Sequence, residues 1–163
     1  MLKDLGHNKI AFCGEGLTAN RLSDFENAMR KAGIPIHSKW VRTSSKRFEA
    51  AGEDIVRAWL AEGALPTAII AAYDYIAIGM IKTLKKNGIR IPEDVSIIGI
   101  DDIPLAPYLE KSLSSIRTHA EEICQKAVEI IVKKFDNQYY RSRQNIIIPT
   151  ELIIRESIGP APN

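Results

Sequence analysis

Two apolar runs that each break off on carboxylates, one helix length apart, constrain this chain more than any other feature. The stretch from Pro66 to Asp102 reads PTAIIAAYDYIAIGMIKTLKKNGIRIPEDVSIIGIDD. The first run, Ala68 to Ala72, meets Asp74. A segment of helical spacing follows and stops at Gly88, and the second run, Val95 to Ile100, ends on Asp101 and Asp102. Two strands joined by a crossover helix lie parallel in one sheet. Their carboxyl ends then share one edge, where open α/β sheets bind small ligands. The pattern predicts a ligand-binding α/β domain and names no reaction.

The rest of the chain has the same rhythm. Lys9 to Cys13 is a short apolar run that stops at the turn Gly14-Glu15-Gly16. Phe25, Ala28, Met29 and Ala32 follow at helical spacing, closed by Gly33 with Pro35 just beyond. Ile36 to Val41 reads as a weak strand and Thr43, Ser44 and Ser45 as a polar loop. Ile55, Val56, Trp59 and Leu60 mark the inner face of a second helix, and Ile76, Met80, Ile81 and Leu84 that of a third. Leu113 to Thr118 reads as a strand and His119 to Phe135 as an amphipathic helix. Asn137 to Gln144 is a polar loop, Asn145 to Ile148 and Glu151 to Ile154 are apolar runs split by Pro149, and a disordered tail is expected from Gly159. Strands alternating with helices imply an open parallel sheet with helices on both faces. Near-continuous apolar strands imply that both faces are covered.

At 163 residues the chain is one domain's worth, with 45% hydrophobic and 26% charged residues. A net charge of +2 does not point to nucleic acid or to a membrane surface. Cys13 and Cys124 stand in no metal spacing and are expected to be buried thiols in a reducing compartment. The N-terminal MLKDLGHNK lacks an apolar signal region and no run approaches a membrane span, so a cytoplasmic protein is expected.

Catalysis has little support. His7, His37 and His119 lie far apart, outside any metal spacing, and no Gly-x-Ser-x-Gly elbow is present. Gly14-Glu15-Gly16 begins like a dinucleotide fingerprint, but Ala19 stands where its third glycine belongs. Paired acids such as Asp101 and Asp102 occur at many strand ends that hold no metal. No cofactor is expected, and an enzyme is the weakest of the functional readings.

What remains is a set of polar groups at strand ends: Arg21, Tyr73, Asp74 and Asp101. A guanidinium donates in a fixed fork, a carboxylate accepts from hydroxyls, and an aromatic ring covers the apolar face of a sugar. Each has a structural alternative. Arg21 could pair with Asp24, Tyr73 could be a wall residue, and Asp74 could cap the helix it precedes. Asp101 has the weakest alternative, because a carboxylate at the edge of a buried run must find a partner.

These residues, with LGHNKIAFCG, the segment IPEDVSIIGIDD followed by LSSIR, and IIIPTELIIRES, give the chain an end-to-end resemblance to the effector-binding region of the LacI/GalR family of bacterial transcription regulators. The resemblance implies a type I periplasmic-binding-protein-like fold, a sugar or sugar-derivative effector held between two subdomains, and a homodimer. The family's effector contacts carry over to Arg21, Tyr73 and Asp101, with Asp74 close by. Two departures stand out. Tyr73 occupies a position where relatives commonly have Asn or another small polar residue, and Arg47, with Phe48 beside it, stands where many have an aromatic ring over the ligand. Arg21, Lys46 and Arg47 together would suit an anionic effector.

The resemblance also assigns residues 1–117 to the C-terminal subdomain, 118–150 to a helix and strand of an N-terminal subdomain, 151–158 to a returning strand and 159–163 to a tail. A chain with this layout is expected to be the last half of a regulator, without its helix-turn-helix. Operator DNA would then be a partner of the full-length form and not of this chain. The dimer contacts would fall near Ala50, on the outer face of the helix from Ile78 to Lys85 and in the loop from Pro104 to Ser112. The apolar face of Ile123, Ala127, Ile130 and Ile131 is expected to pack on a second copy or to fold back. A sugar-binding receptor of a transport system shares the implied fold and is the rival reading.

Overall fold

The computed structural model describes residues 1–136 and 145–162. A six-stranded sheet forms the centre, with β1 Ile10–Glu15, β2 Val41–Ser44, β3 Ala68–Ala71, β4 Ser96–Asp101, β5 Ser114–Arg117 and β6 Glu151–Ile153. The strand order is β2-β1-β3-β4-β5-β6. The first five strands are parallel, and β6 returns antiparallel beside β5. The sheet is therefore mixed at one edge and not parallel throughout. From β1 the chain moves one way to β2 and then back past β1 to β3. That reversal creates a topological switch point between β1 and β3, and an open crevice at their carboxyl ends.

Helices α1 Ala19–Ala32, α2 Phe48–Ala61 and α3 Asp74–Lys86 are the crossovers. Right-handed connection puts α1 on one face and α2 and α3 together on the other. The faces alternate along each strand, as the two-residue period requires. Phe12 meets Phe25 of α1 with ring centroids 5.5 Å apart. On the other side Ala11, Cys13, Ile69, Ala71 and Ile97 are fully buried, as are Val56, Trp59, Ile76, Met80 and Leu84 of the helices. Helices α2 and α3 touch backbone to backbone. A Cβ on Gly52 would lie 2.1 Å from the Ile76 carbonyl oxygen, and one on Gly79 2.0 Å from that of Glu49. Only glycine fits at either point.

Coverage of the two faces is unequal. Helix α1 shields β1, but Ile70, Ile98, Ile100 and Ile116 line an apolar groove of about 650 Å³ beside it. Ala28, expected on the inner face of α1, is exposed into that groove.

Several local expectations are corrected. The weak strand Ile36 to Val41 is a 3-10 turn, Ser38–Trp40, and the strand begins at Val41 and takes in Thr43 and Ser44. Trp40 turns inward onto Trp59, 6.1 Å between centroids, and the Trp59 indole donates to the Lys39 carbonyl at 3.0 Å. Polar residues serve in β2 because it is an edge strand. The tail is packed rather than disordered as far as it is described. Ala161 N donates to the Leu5 carbonyl at 2.8 Å, Gly159 N to Ser96 Oγ at 3.0 Å, and the buried His7 reaches the Gly159 carbonyl with Nε2 at 3.0 Å.

Helix α4 Ala120–Asp136 stands off the sheet, with Ile123, Val128, Ile131, Val132 and Phe135 exposed. Cys124 lies on it and is exposed, not buried; Cys13 is buried. Residues 145–150, expected to contribute a strand, form none, because no neighbouring strand offers a ladder among the described residues. Ile146 and Ile148 instead face Ile123, Ala127 and Ile130 across a shallow cavity of about 430 Å³. The polar loop from Asn137 to Gln144 lies outside the described residues. Among the described residues no helix is long and apolar enough to cross a membrane.

Candidate functional site

The carboxyl ends of β1, β3 and β4 converge on a pocket of about 370 Å³, lined by Glu15, Leu17, Thr18, Asn20, Arg21, Arg47, Tyr73 and Asp101. It sits at the switch point that the strand order creates. Arg21, on the opening turns of α1, reaches across the crevice. Its Nη2 donates to Asp101 Oδ1 at 2.9 Å, and its Nη1 donates to the carbonyl of Ala72. One guanidinium thus ties the end of β3 to the end of β4. Its pairing with Asp24 does not form. Asp101 holds a backbone φ of 109°, and Asp102 one of 51°. Such values are costly for residues with a Cβ, by about 1–3 kcal/mol each, and cluster where function constrains the chain.

The opposite wall is built on Glu15, the last residue of β1. Its carboxylate is buried, and Oε2 accepts from Arg47 Nε at 3.0 Å. Thr18 closes the turn beneath it: Thr18 Oγ1 accepts from Glu15 N at 3.0 Å and donates to the Glu15 carbonyl at 2.8 Å. The sequence pattern does not single out Glu15 as a site residue. Its signal was present, since a charged residue ends a buried run there just as Asp101 does. A buried carboxylate in the Gly14-Glu15-Gly16 turn has the wrong charge for a diphosphate.

Arg47 also lies 4.8 Å over the ring of Phe48. Phe48 adopts φ 54°, rare for a bulky residue, and its backbone N–H donates to the Tyr73 hydroxyl at 3.0 Å. Its ring meets those of Tyr73 and Tyr75 edge-on, each at 6.0 Å. Phe48 is thus a rim residue that positions Arg47 and Tyr73. Lys46 is turned away from the pocket, its Nζ 2.7 Å from Asp54. The free cluster of cations expected from Arg21, Lys46 and Arg47 does not form, because each has a carboxylate of its own.

Of the expected site residues, Arg21, Arg47, Tyr73 and Asp101 come together, Phe48 stands at the rim, and Asp74 does not join them. Asp74 is fully buried beneath the loop after β4. Its Oδ2 accepts from Ile103 N at 2.8 Å and its Oδ1 from Ser115 Oγ at 2.6 Å. It is the first residue of α3, with Tyr73 in the cap position, so the capping alternative fails as well. A Cβ on Gly99 would lie 1.9 Å from Asp74 Oδ1, so glycine makes room for the carboxylate. Burial pushes the Asp74 carboxyl above the usual range, against the hydrogen bonds from Ser115 and Ile103.

Asp102 is a second internal anchor. Arg117 Nε donates to Oδ2 at 2.8 Å, and Arg155 Nη2 lies 2.7 Å from Oδ1 in an ion pair without hydrogen-bond alignment. Burial alone would raise this carboxyl, but Arg155 and Arg117 outweigh it and hold it below the usual range. The clamp joins the end of β4 to β5 and to the segment after β6. Among the described residues no group of three or more His, Cys, Asp or Glu could hold a metal ion.

Comparison with known proteins gives this geometry a context. Residues 1–158 match the family described as the periplasmic binding protein-like domain. The chain is 35% identical over 161 residues to the ribose operon repressor of Haemophilus influenzae, covering 96% of this chain and 48% of the repressor. It is 33% identical over 153 residues to the transcriptional repressor PurR of Photobacterium profundum, covering 94% of this chain and 44% of PurR. The chain thus spans about half the length of these curated relatives, which are transcription regulators and not enzymes. Among solved structures, a LacI transcriptional regulator from Bacillus cereus subsp. cytotoxis superposes with a TM-score of 0.90 at 28% identity, over 98% of this chain and 57% of that one. A sugar-binding regulator of the LacI family from Escherichia coli, solved with phosphate, gives 0.85 at 31% identity, over 98% and 58%.

Proposed function

Because the chain belongs to the LacI/GalR family of bacterial transcription regulators, through their periplasmic-binding-protein-like domain, we propose that it binds a small polyhydroxy effector in the pocket at the ends of β1, β3 and β4. The observation that carries this reading is the position of Arg21. It crosses the switch-point crevice, engages Ala72 and Asp101, and remains about one-third exposed to the pocket. Arg21, Asp101, Arg47 and Tyr73 act as the binding residues. Together they offer both donors and acceptors, as the hydroxyls of a sugar require.

Residues 1–117 are the body of one effector subdomain. Helix α4 and residues 145–150 are elements of a second lobe, and the exposed apolar residues of α4 and the length of the relatives support that assignment. Closing two lobes on an effector would couple binding to the geometry of a DNA-reading part of the full-length regulator, as a coupling free energy. The homodimer uses the outer face of α3, where Ile78 is half-buried, and the loop after β4, where Leu105 and Tyr108 are exposed. Lys85 pairs with Glu110 and ties that loop to α3.

Thermal denaturation against a panel of pentoses, hexoses and disaccharides tests the reading. A ligand at a hundred times its Kd stabilises the fold by about 2.7 kcal/mol. At least one sugar is expected to raise Tm, and Arg21→Ala to reduce the shift markedly. A flat response to the whole panel would overturn it.

A further inference from the structure

The charges lining the pocket balance. Two cations, Arg21 and Arg47, face two carboxylates, Asp101 and Glu15, and each cation is paired, at 2.9 Å and 3.0 Å. Lys46, one residue away, is held by Asp54. The two pairs differ in burial. Asp101 is about one-third exposed, whereas the Glu15 side chain is 4% exposed. An incoming anion that took Arg47 for itself would leave a buried carboxylate without its counter-ion, beside a second negative charge. Arg47 itself is half exposed, so an anion can reach it, and the cost falls on the buried Glu15 carboxylate that is left without a counter-ion. A neutral polyol faces no such penalty. Each carboxylate uses one oxygen on its arginine, Glu15 Oε2 and Asp101 Oδ1. Among the described residues the other oxygens are left as acceptors for hydroxyls.

We propose that Glu15 is the specificity-determining residue of this pocket: by neutralising Arg47 from a buried position it selects uncharged polyhydroxy effectors and rejects their anionic derivatives. The proposal rests on the reading of the pocket as the effector site.

Titration calorimetry tests it with D-ribose, D-glucose, D-galactose and cellobiose, the esters ribose 5-phosphate and glucose 6-phosphate, and inorganic phosphate. The unsubstituted protein is expected to bind at least one neutral sugar ten-fold or more tighter than the matching ester. Glu15→Gln frees Arg47 and is expected to move that ratio ten-fold or more toward the ester. The double variant E15Q/R47Q, balanced again, is expected to return it toward the original value. An ester bound more tightly than its sugar by the unsubstituted protein, or a ratio unmoved by E15Q in a protein that still melts cooperatively, would overturn the role of Glu15 and leave the effector site standing. If E15Q does not fold, the ratio in the unsubstituted protein decides. Binding of neither sugars nor esters would overturn the effector reading, and the proposal with it.

Discussion

Arg21 Nη2 and Asp101 Oδ1 lie 2.9 Å apart although 80 positions separate the residues along the chain. Nothing local brings them together. They meet because β1 and β4 flank β3 in one parallel sheet, so the turn after β1 and the end of β4 open on the same edge.

Arg21→Ala should therefore weaken effector binding and cost a modest amount of stability, since Asp101 borders solvent but the carbonyl of the fully buried Ala72 loses its donor. Hydrogen bonds to charged groups contribute about 1.5–3 kcal/mol, which corresponds to roughly ten- to a hundred-fold in Kd. Calorimetry on the variant, with Tm as the control, checks this. Arg21→Lys should recover only part of the loss, because an ammonium cannot reach Ala72 and Asp101 as a fork does.

Gly79→Ala should destabilise the fold. The new Cβ would lie 2.0 Å from the Glu49 carbonyl oxygen, which is backbone and cannot swing aside. Forcing α2 from α3 costs about 1–3 kcal/mol, typical of overpacking. Urea denaturation reads the drop in midpoint. An unchanged midpoint would mean that the helices are not in backbone contact.

The two buried acids beyond the pocket should respond to pH in opposite senses. Arg155 and Arg117 hold Asp102 below the usual carboxylate range, so its contribution to stability is present above the unfolded value and is lost as pH falls through the lowered folded one. Asp74 is raised, chiefly by burial, so its ionised form weakens the fold and protonation relieves it. On acidification, carboxyl-carbon NMR should show Asp74 taking up its proton before Asp102. Asp102→Asn should destabilise the fold by about 1–3 kcal/mol near neutral pH, because the mostly shielded Arg155 loses its counter-ion while keeping only the Leu113 carbonyl, and should flatten the acid limb of the stability curve.

Helix α4 should make the protein associate. Ile131, Val132 and Phe135 are exposed on a helix that stands off the sheet, and such a patch is costly to leave in water. Sedimentation at micromolar concentration should show species larger than the dimer formed through α3, and Ile131→Glu should shift them toward that dimer. Species no larger than that dimer in the unsubstituted chain would contradict this.

The repeating strands and helices were legible because their signals are local. Ala68 to Ala72, Val95 to Ile100 and the face Ile76–Met80–Ile81–Leu84 show their periods within one window, and burial follows the period. Asp101 was legible for a related reason, since a charged residue at the end of a buried run must find a partner, and Arg21 because it follows the glycine turn after β1 on the opening turns of α1. Glu15 obeys the same rule, but it lay in a glycine turn with the look of a nucleotide fingerprint.

From its residue order alone this chain determined an alternating α/β fold and the edge on which its ligand-facing groups gather, since those follow from hydrophobic period and the handedness of crossovers. Tertiary structure alone decided which carboxylate faces the pocket and which is buried. Tyr73 and Asp74 are neighbours, yet one lines the pocket and the other receives Ile103 and Ser115 from distant segments. It also paired Arg47 with Glu15, turned β6 antiparallel and docked the tail on His7 and Ser96. Each of these is a contact between residues remote in sequence, and its energy depends on what the rest of the fold places opposite.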